Sequence, residues 1–190
     1  FATQTFALKP DIMTMAKQLS SGYMPISAML VSDRIVQGLE AQSKKQGAYA
    51  HGFTYGGHPV AAAVALETLN IYDEKDIVGH VRRVAPSFQS RSAARDAHPL
   101  VGCVRGIGLL SGIELVKDKA TKERFSQKDN VAGYLAARCK HHGILTRGGD
   151  DILTLSPPLI ITAEQIDDLF DRLERALDDT LAWTQRGSPA

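Results

Sequence analysis

The chain has 190 residues, of which 44% are apolar and 23% charged, and its formal net charge is +1. This composition is typical of a globular protein with one or two domains and excludes a disordered chain. The small net charge argues against nucleic acid or an anionic membrane surface as a partner. No apolar run approaches the roughly 20 residues that are needed to span a bilayer.

The cysteine content argues against a disulfide scaffold or a structural zinc site, because Cys103 and Cys139 have no paired spacing. Together with the lack of a signal-peptide pattern, it predicts a reducing, cytoplasmic location. The histidines show no metal-ligand spacing, so we expect no metal site. The chain begins with Phe1 rather than Met, which we interpret as a processed chain or a piece of a longer protein.

The first half is predicted to contain two strands and two helices, with a glycine-rich loop between the helices. Asp33 is a candidate N-cap for the first helix, and Pro59 suits the first turn of the second, alanine-rich helix. The predicted ranges are 12–15 and 26–32 for the strands, 33–43 and 59–72 for the helices, and 44–59 for the loop.

The second half is predicted to alternate strands and helices. A long helix over 76–98 is interrupted or kinked at Pro86, and it separates the first part of the chain from a small α/β unit. A capping box formed by Thr162 and Gln165 begins the last helix. The other predicted elements are two strands in 100–116, a helix ending at Gly143, a strand–turn–strand over 144–158 and the last helix over 163–184.

Lys17 directly follows the first apolar strand. Ligands of α/β proteins bind outside the carboxyl ends of strands, and a partly desolvated lysine there would have a lowered pKa and a nucleophilic amine. From position alone, a lysine at an exposed strand end is the alternative interpretation.

The residues around Lys17 resemble the Schiff-base lysine segment of the class III, pyridoxal-phosphate-dependent aminotransferases. The stretch "DIMTMAKQLSSGYMPISA" matches many fixed positions of that segment within about twenty residues. The matching residues are Asp11, Thr14, Ala16, Lys17, Leu19, Gly22, Tyr23, Pro25, Ser27 and Ala28.

Two further segments resemble the same family. In "HGFTYGGHPVAAAVALETL" the resemblance gives Thr54 a contact with the cofactor phosphate across a dimer interface, and a hydroxyl in glycine-rich backbone suits an anion. In "GILTRGGDDILTLSPPLIIT" Arg147 matches the arginine that receives the substrate carboxylate in the omega-transaminase branch. A turn arginine paired with Asp150 or Asp151 is the alternative.

The resemblance, which covers about 10–180, implies the aspartate-aminotransferase fold (fold type I), an α/β fold. Residues 1–75 would be the C-terminal part of the large cofactor-binding domain, 76–98 a linking helix, and 99–190 the small C-terminal α/β domain. The implied reaction transfers an amino group from an amine or ω-amino acid to an oxo acid such as pyruvate. Lys17 would bind pyridoxal phosphate and move the substrate proton, in a homodimer or higher oligomer.

Other functional interpretations of the sequence remain open at this point. The chain could belong to an aminomutase or a decarboxylase of the same fold, or be an inactive fragment or structural partner. In the family, the acid beside the pyridine nitrogen, the stacking aromatic and the main phosphate loop precede the lysine, and only sixteen residues precede Lys17. We therefore expect this chain alone to be unable to catalyse transamination, and its sequence does not identify the amino donor.

Overall fold

The computed structural model describes residues 1–186 and divides into two compact units. The first unit is Phe1–Asp76, and the second begins at Ile77. The helix that was predicted to link them belongs by its contacts to the second unit. The predicted assignment of 1–75, 76–98 and 99–190 to parts of a larger enzyme stays a prediction.

The first unit is a two-stranded antiparallel sheet with helices before and after it. Strand β1 (Ile12–Met15) pairs with strand β2 (Ala28–Val31) along its whole length, with Ile12 opposite Val31 and Met15 opposite Ala28. The predicted order of two strands and two helices is confirmed. The elements are α1 (Ala2–Thr5), β1 (Ile12–Met15), a 3₁₀ turn (Lys17–Leu19), β2 (Ala28–Val31), α2 (Asp33–Gln46) and α3 (Pro59–Glu74).

Helix α2 differs from its predicted boundaries at both ends. The N-cap is Ser32 rather than Asp33, and its hydroxyl donates to Asp11 Oδ1 at 2.7 Å instead of capping the helix. The helix continues to Gln46 and ends at Gly47, which has a left-handed φ of 73°. A glycine adopts this conformation without steric cost, so Gly47 sets the end of the helix.

The first unit buries little of its own apolar surface. Among residues 1–76, only two apolar side chains are buried, Ala61 and Ala65. Larger apolar side chains on both strands are about half exposed, including Ile12 at 51%, Met29 at 54% and Leu30 at 53%. Both edges of this sheet are unpaired among the described residues, so the unit presents apolar faces and open strand edges together.

The second unit is a four-stranded antiparallel sheet packed against three helices. The elements are α4 (Ile77–Ala94), β3 (Val101–Ile107), β4 (Leu110–Leu115), α5 (Val131–His141), β5 (Arg147–Gly149), β6 (Ile152–Leu155) and α6 (Ala163–Gln185). The strand order is β3-β4-β6-β5, and α4, α5 and α6 enclose a core with the sheet.

The core of this unit is extensive and well defined. Phe88 of α4 and Phe170 of α6 are both fully buried, and their ring centroids lie 5.3 Å apart in an edge-to-face arrangement. The helix was predicted to be interrupted or kinked at Pro86; an interruption is wrong, because α4 runs continuously from Ile77 to Ala94, and a kink stays a prediction. Ile77 and Phe88 are buried on either side of the proline, so tertiary packing holds both halves in one helix.

The predicted capping box at the start of α6 is confirmed. Gln165 N donates to Thr162 Oγ1 at 3.2 Å, and Thr162 N donates to Gln165 Oε1 at 3.0 Å. The predicted strand–turn–strand is also confirmed: β5 and β6 are joined by Asp150 and Asp151, which have left-handed φ values of 49° and 60°. Two left-handed residues match the right-handed twist of the paired strands.

His98 is buried between α4 and β3, and this burial favours the neutral form of its ring. Its Nδ1 accepts a hydrogen bond from Leu100 N at 3.2 Å, so the ring proton lies on Nε2, which is 3.5 Å from Asp178 Oδ1. Burial lowers the pKa of His98, assisted by the positive charges of Arg95 and Lys119, whereas Asp178 raises it. Burial prevails because the His98 side chain is 5% exposed and that of Asp178 is 66% exposed.

This pKa shift predicts a specific acid sensitivity. A histidine whose folded-state pKa is lowered binds more protons when unfolded, so stability rises with pH across that window. The stability associated with neutral His98 is therefore present above pH 6.5, its ordinary pKa, and is lost as the pH falls toward the lowered value. His98→Asn keeps an acceptor for Leu100 N but does not titrate.

The measurement is the thermal unfolding midpoint of the chain at pH 7.5 and pH 5.0, for the wild type, His98→Asn and the exposed control His141→Asn. Between pH 7.5 and pH 5.0, we expect the unfolding midpoint of His98→Asn to fall less than that of the wild type. The midpoint of His141→Asn should fall by the same amount as that of the wild type. Equal losses in all three proteins would contradict the assignment.

Candidate functional site

Lys17 stands where β1 ends and the chain turns sharply. Ala16 is extended, with a φ of −159°, and Lys17 adopts a left-handed φ of 54°. A 3₁₀ turn follows, in which Leu19 N donates to Ala16 O and Ser20 N donates to Lys17 O, both at 3.2 Å. A left-handed conformation is uncommon for a residue with a side chain and costs about 1–3 kcal/mol. Such a conformation persists only where the surrounding contacts enforce it.

Two sets of hydrogen bonds fix this turn from either side. Before it, Asp11 accepts from Ser32 Oγ at 2.7 Å and from Arg34 Nε at 3.3 Å, which ties the start of β1 to the start of α2. These bonds lower the pKa of the Asp11 carboxyl, the bond from Arg34 most and that from Ser32 next. After the turn, the buried Ser20 donates its hydroxyl to Met24 O at 2.5 Å.

The side chain of Lys17 is exposed, and no carboxylate among the described residues pairs with it. The partial desolvation expected from sequence is therefore not supplied by the first unit, residues 1–76. The reason is the shallow burial of the first unit, in which no large apolar side chain is buried. No apolar wall within the first unit excludes water from this amine.

Thr54 lies at a corner of a tight turn in the glycine-rich loop. Gly56 N donates to Phe53 O at 2.8 Å, which places Thr54 at the second position of a β-turn, and Thr54 is exposed. His58 follows as the N-cap of α3, with its Nδ1 accepting from Ala61 N at 3.4 Å. An exposed hydroxyl within this loop is available as a donor to an anion.

Arg147 is the first residue of β5, an edge strand of the sheet. It is exposed, and it lines a cavity of about 350 Å³ with Leu145, Thr146, Thr154 and Ser156. The alternative from sequence was a pair with Asp150 or Asp151, but Arg147 forms no ion pair with either of them. Its guanidinium is therefore available to a ligand carboxylate.

The three predicted residues are divided between the two units. Lys17 and Thr54 belong to the first unit, where the turn at Lys17–Leu19 contacts α3, the helix that follows the Thr54 loop. Arg147 belongs to the second unit. The assignment of Lys17, Thr54 and Arg147 to catalysis, cofactor and substrate stays a prediction.

Sequence reasoning overlooked the residues that support these positions. Ser32 and Arg34 hold the strand that leads to Lys17, and the signal for them was their adjacency to the end of β2. Gly148 lies directly beside Arg147, and a glycine within a strand indicates a close backbone approach. That signal was present in the sequence "TRGGDD".

The chemistry of these groups fits pyridoxal phosphate. A free primary amine can bind an aldehyde covalently, an exposed hydroxyl in a glycine-rich turn can donate to a phosphate, and a free guanidinium can bind a carboxylate. No group of three or more His, Cys, Asp or Glu side chains in the described chain could hold a metal ion. No described helix is long and apolar enough to cross a membrane.

The chain matches proteins of known function in sequence. The family model described as aminotransferase class-III matches residues 1–177. Gamma aminobutyrate transaminase 3 from Solanum lycopersicum is 44% identical over 180 residues, which are 95% of this chain and 35% of that protein. Vanillin aminotransferase from Capsicum annuum is 41% identical over 180 residues, 95% of this chain and 39% of that protein. The chain thus spans little more than a third of the length of these relatives.

Solved structures agree with this result. An omega transaminase from Pseudomonas jessenii in complex with PMP is 42% identical, with a TM-score of 0.92 over 98% of this chain and 41% of that one. A structure described as a transaminase with L-ala is 44% identical, with a TM-score of 0.92 over 96% of this chain and 43% of that one. The predicted fold, that of the pyridoxal-phosphate-dependent transferases of fold type I, is confirmed, and class-III aminotransferases use this cofactor. The chain belongs to the class-III aminotransferase family.

Proposed function

We propose that this chain is the part of a pyridoxal-phosphate-dependent aminotransferase that holds the cofactor through Lys17. The reaction transfers an amino group from an amine or ω-amino acid to an oxo acid such as pyruvate. The observation that carries the proposal is the left-handed backbone of Lys17 at the carboxyl end of β1. A backbone conformation of this kind at a reactive side chain is typical of an active site.

Lys17 has two tasks in this proposal. Its Nζ would hold the cofactor covalently, and as a free amine it would take up and return the proton of the substrate carbon that bears the amino group. Pyridoxal phosphate, when bound, supplies the electron sink that makes the α-proton acidic. Asp11 and Ser20 hold the turn, and the turn determines the point from which the Lys17 side chain extends.

Arg147 binds the carboxylate of the oxo acid. Its planar guanidinium offers two parallel N–H donors to the two carboxylate oxygens, and no acidic side chain of the described chain competes for them. Position on a β-strand suits this task, because a strand holds the backbone of the arginine better than a loop does. The names of the two plant relatives support an amine or ω-amino acid as donor.

Thr54 donates its hydroxyl to the phosphate of the cofactor bound by a neighbouring subunit, which makes the active form at least a dimer. The exposed position of Thr54 in a tight turn supports this role. Thr54→Val should weaken cofactor retention on dialysis without changing the oligomeric state in analytical ultracentrifugation. Retention equal to that of the wild type would contradict the role.

The active site needs residues beyond this chain. The described part provides the amine, the hydroxyl and the guanidinium, but it identifies no acid for the pyridine nitrogen, no stacking aromatic and no main phosphate site. The exposed apolar faces of β1 and β2 support the same conclusion, because water-exposed apolar strands are covered in a stable protein. We infer that the covering part also encloses Lys17.

Replacement of Lys17 tests the central role. Lys17→Ala keeps the same left-handed backbone strain, since both residues carry a Cβ, and it removes only the amine. In the holoenzyme that contains this chain, we expect transamination to fall by at least about 10²–10⁴-fold, the range attributed to a positioned acid or base. Turnover is measured as alanine formed from pyruvate.

The matched control is Lys9→Ala, which removes an exposed lysine a few residues before β1. It should leave turnover within about twofold, because exposed surface substitutions have small effects. A Lys17→Ala enzyme with near-normal turnover would exclude Lys17 from the reaction.

Replacement of Arg147 tests the acceptor site. Arg147→Ala should weaken binding of pyruvate by about ten- to a hundredfold, the value of a charge-assisted hydrogen bond of roughly 1.5–3 kcal/mol. An aldehyde acceptor without a carboxylate, such as butanal, should be unaffected. The measurement is the KM for each acceptor.

Arg105→Ala serves as the control, because Arg105 is an exposed arginine on the same sheet that is paired with Glu114 at 2.9 Å. It should change neither KM. If Arg147→Ala raises the KM of pyruvate and butanal equally, Arg147 is a structural residue.

A further inference from the structure

Strand β5 carries Arg147 and has little support from the sheet itself. It has three residues and pairs with β6 on one side only, as the edge of the order β3-β4-β6-β5. Arg147 lies opposite Thr154, and Gly148 lies opposite Leu153. A short edge strand with few ladder hydrogen bonds does not by itself fix an arginine well enough for bidentate binding.

Gly148 provides a second support by allowing direct contact with α5. Leu153 is fully buried, and residues directly opposite in an antiparallel pair face the same side, so Gly148 faces the core and Arg147 faces solvent. A Cβ atom on Gly148 would overlap the backbone carbonyl of Ala132, in the first turn of α5, and lie 3.2 Å from its Cα. The strand therefore rests directly on the helix backbone.

Helix α5 is a firm base for this contact. Val131, Leu135 and Cys139 are fully buried along one side of it. At its other end, Arg138 donates to Asp179 Oδ2 of α6 through Nη2 at 2.6 Å and through Nε at 3.0 Å. The contact at Gly148 therefore fixes the position of β5 relative to the core of the second unit.

Thr146 holds the strand from the other direction. Its hydroxyl donates to the backbone oxygen of Thr154 at 2.5 Å, immediately before Arg147. The backbone of Arg147 is therefore fixed by a side-chain hydrogen bond on one side and by a glycine–helix contact on the other.

We propose that Gly148, together with the hydroxyl of Thr146, positions Arg147 for carboxylate binding, an inference that rests on the proposed function of Arg147. The absence of a side chain at this position lets β5 lie close to α5 and sets the height of the guanidinium above the sheet. Any side chain at this position moves the strand outward, because a backbone carbonyl cannot yield as a flexible side chain does. A displacement of about 1 Å at a binding group can cost on the order of a hundredfold.

The test compares Gly148→Ala with Gly149→Ala in the holoenzyme. Gly149 is the next residue of the same strand, and a Cβ there meets nothing within 4 Å. Three quantities are measured: the KM for pyruvate, the KM for butanal, and the inhibition constant of propionate, a carboxylate without a reactive carbonyl. Gly148→Ala should raise the KM for pyruvate and the inhibition constant of propionate by about tenfold or more and leave the KM for butanal unchanged. Gly149→Ala should change none of the three quantities.

The outcomes separate this inference from the proposed function. If Arg147→Ala shows no preference for carboxylates, the role of Arg147 fails. If Arg147→Ala is selective and Gly148→Ala behaves as Gly149→Ala, the positioning inference is overturned. An equal loss for pyruvate and butanal in Gly148→Ala also overturns it, because that pattern shows only a structural role.

A second variant applies if Gly148→Ala lacks the native circular dichroism spectrum. Thr146→Val removes the hydrogen bond to Thr154 with little change in volume, and it should raise the inhibition constant of propionate more than the KM of butanal. Equal changes in both quantities would overturn the inference.

Discussion

The abrupt end of β1 at Lys17 is the constraint on which the proposed chemistry depends. An extended strand arrives at Ala16, and the next residue reverses the chain with a left-handed φ of 54°. The side chain of Lys17 therefore leaves the backbone at a position where the strand no longer continues. The carboxylate of Asp11 and the hydroxyl of Ser20 hold the two sides of this turn. A catalytic amine is effective only when the backbone that carries it is held in a fixed position.

The two units differ in how they obtain their stability. The second unit encloses a core of fully buried side chains between one sheet and three helices, with Phe88 and Phe170 at its centre. The first unit, by contrast, leaves large side chains of both strands about half exposed. This difference explains why the candidate carboxylate site on β5 is well supported within its unit, whereas the described residues of the first unit leave the amine of Lys17 exposed.

Much of the fold could be predicted from local sequence signals. Capping by Thr162 and Gln165, the strand–turn–strand within 144–158 and the strand before Lys17 each depend on near neighbours, and each is observed. The errors arise from contacts between distant residues. Helix α2 has Ser32 as its N-cap residue, with the Ser32 hydroxyl bound to the distant Asp11, and α4 continues through Pro86 because Phe88 is buried in the core. Neither contact is visible from spacing along the chain.

The candidate residues were predicted by resemblance more than by pattern. A lysine after a strand, a threonine in a glycine-rich loop and an arginine before a turn are each common, and only their combination is specific to the family. The support for Arg147 required the structure, since the overlap between a Gly148 side chain and Ala132 joins two elements that are 16 positions apart. The sequence thus identifies the candidate residues, and the structure shows how the backbone around Arg147 is held in position.

The most direct measurement is chemical trapping of the cofactor. The holoenzyme that contains this chain is treated with borohydride, which converts the bond between lysine and cofactor into a stable secondary amine, and is then digested for peptide mass spectrometry. We expect one pyridoxyl group per chain, on Lys17. A pyridoxyl group on another lysine, with Lys17 unmodified, would contradict it.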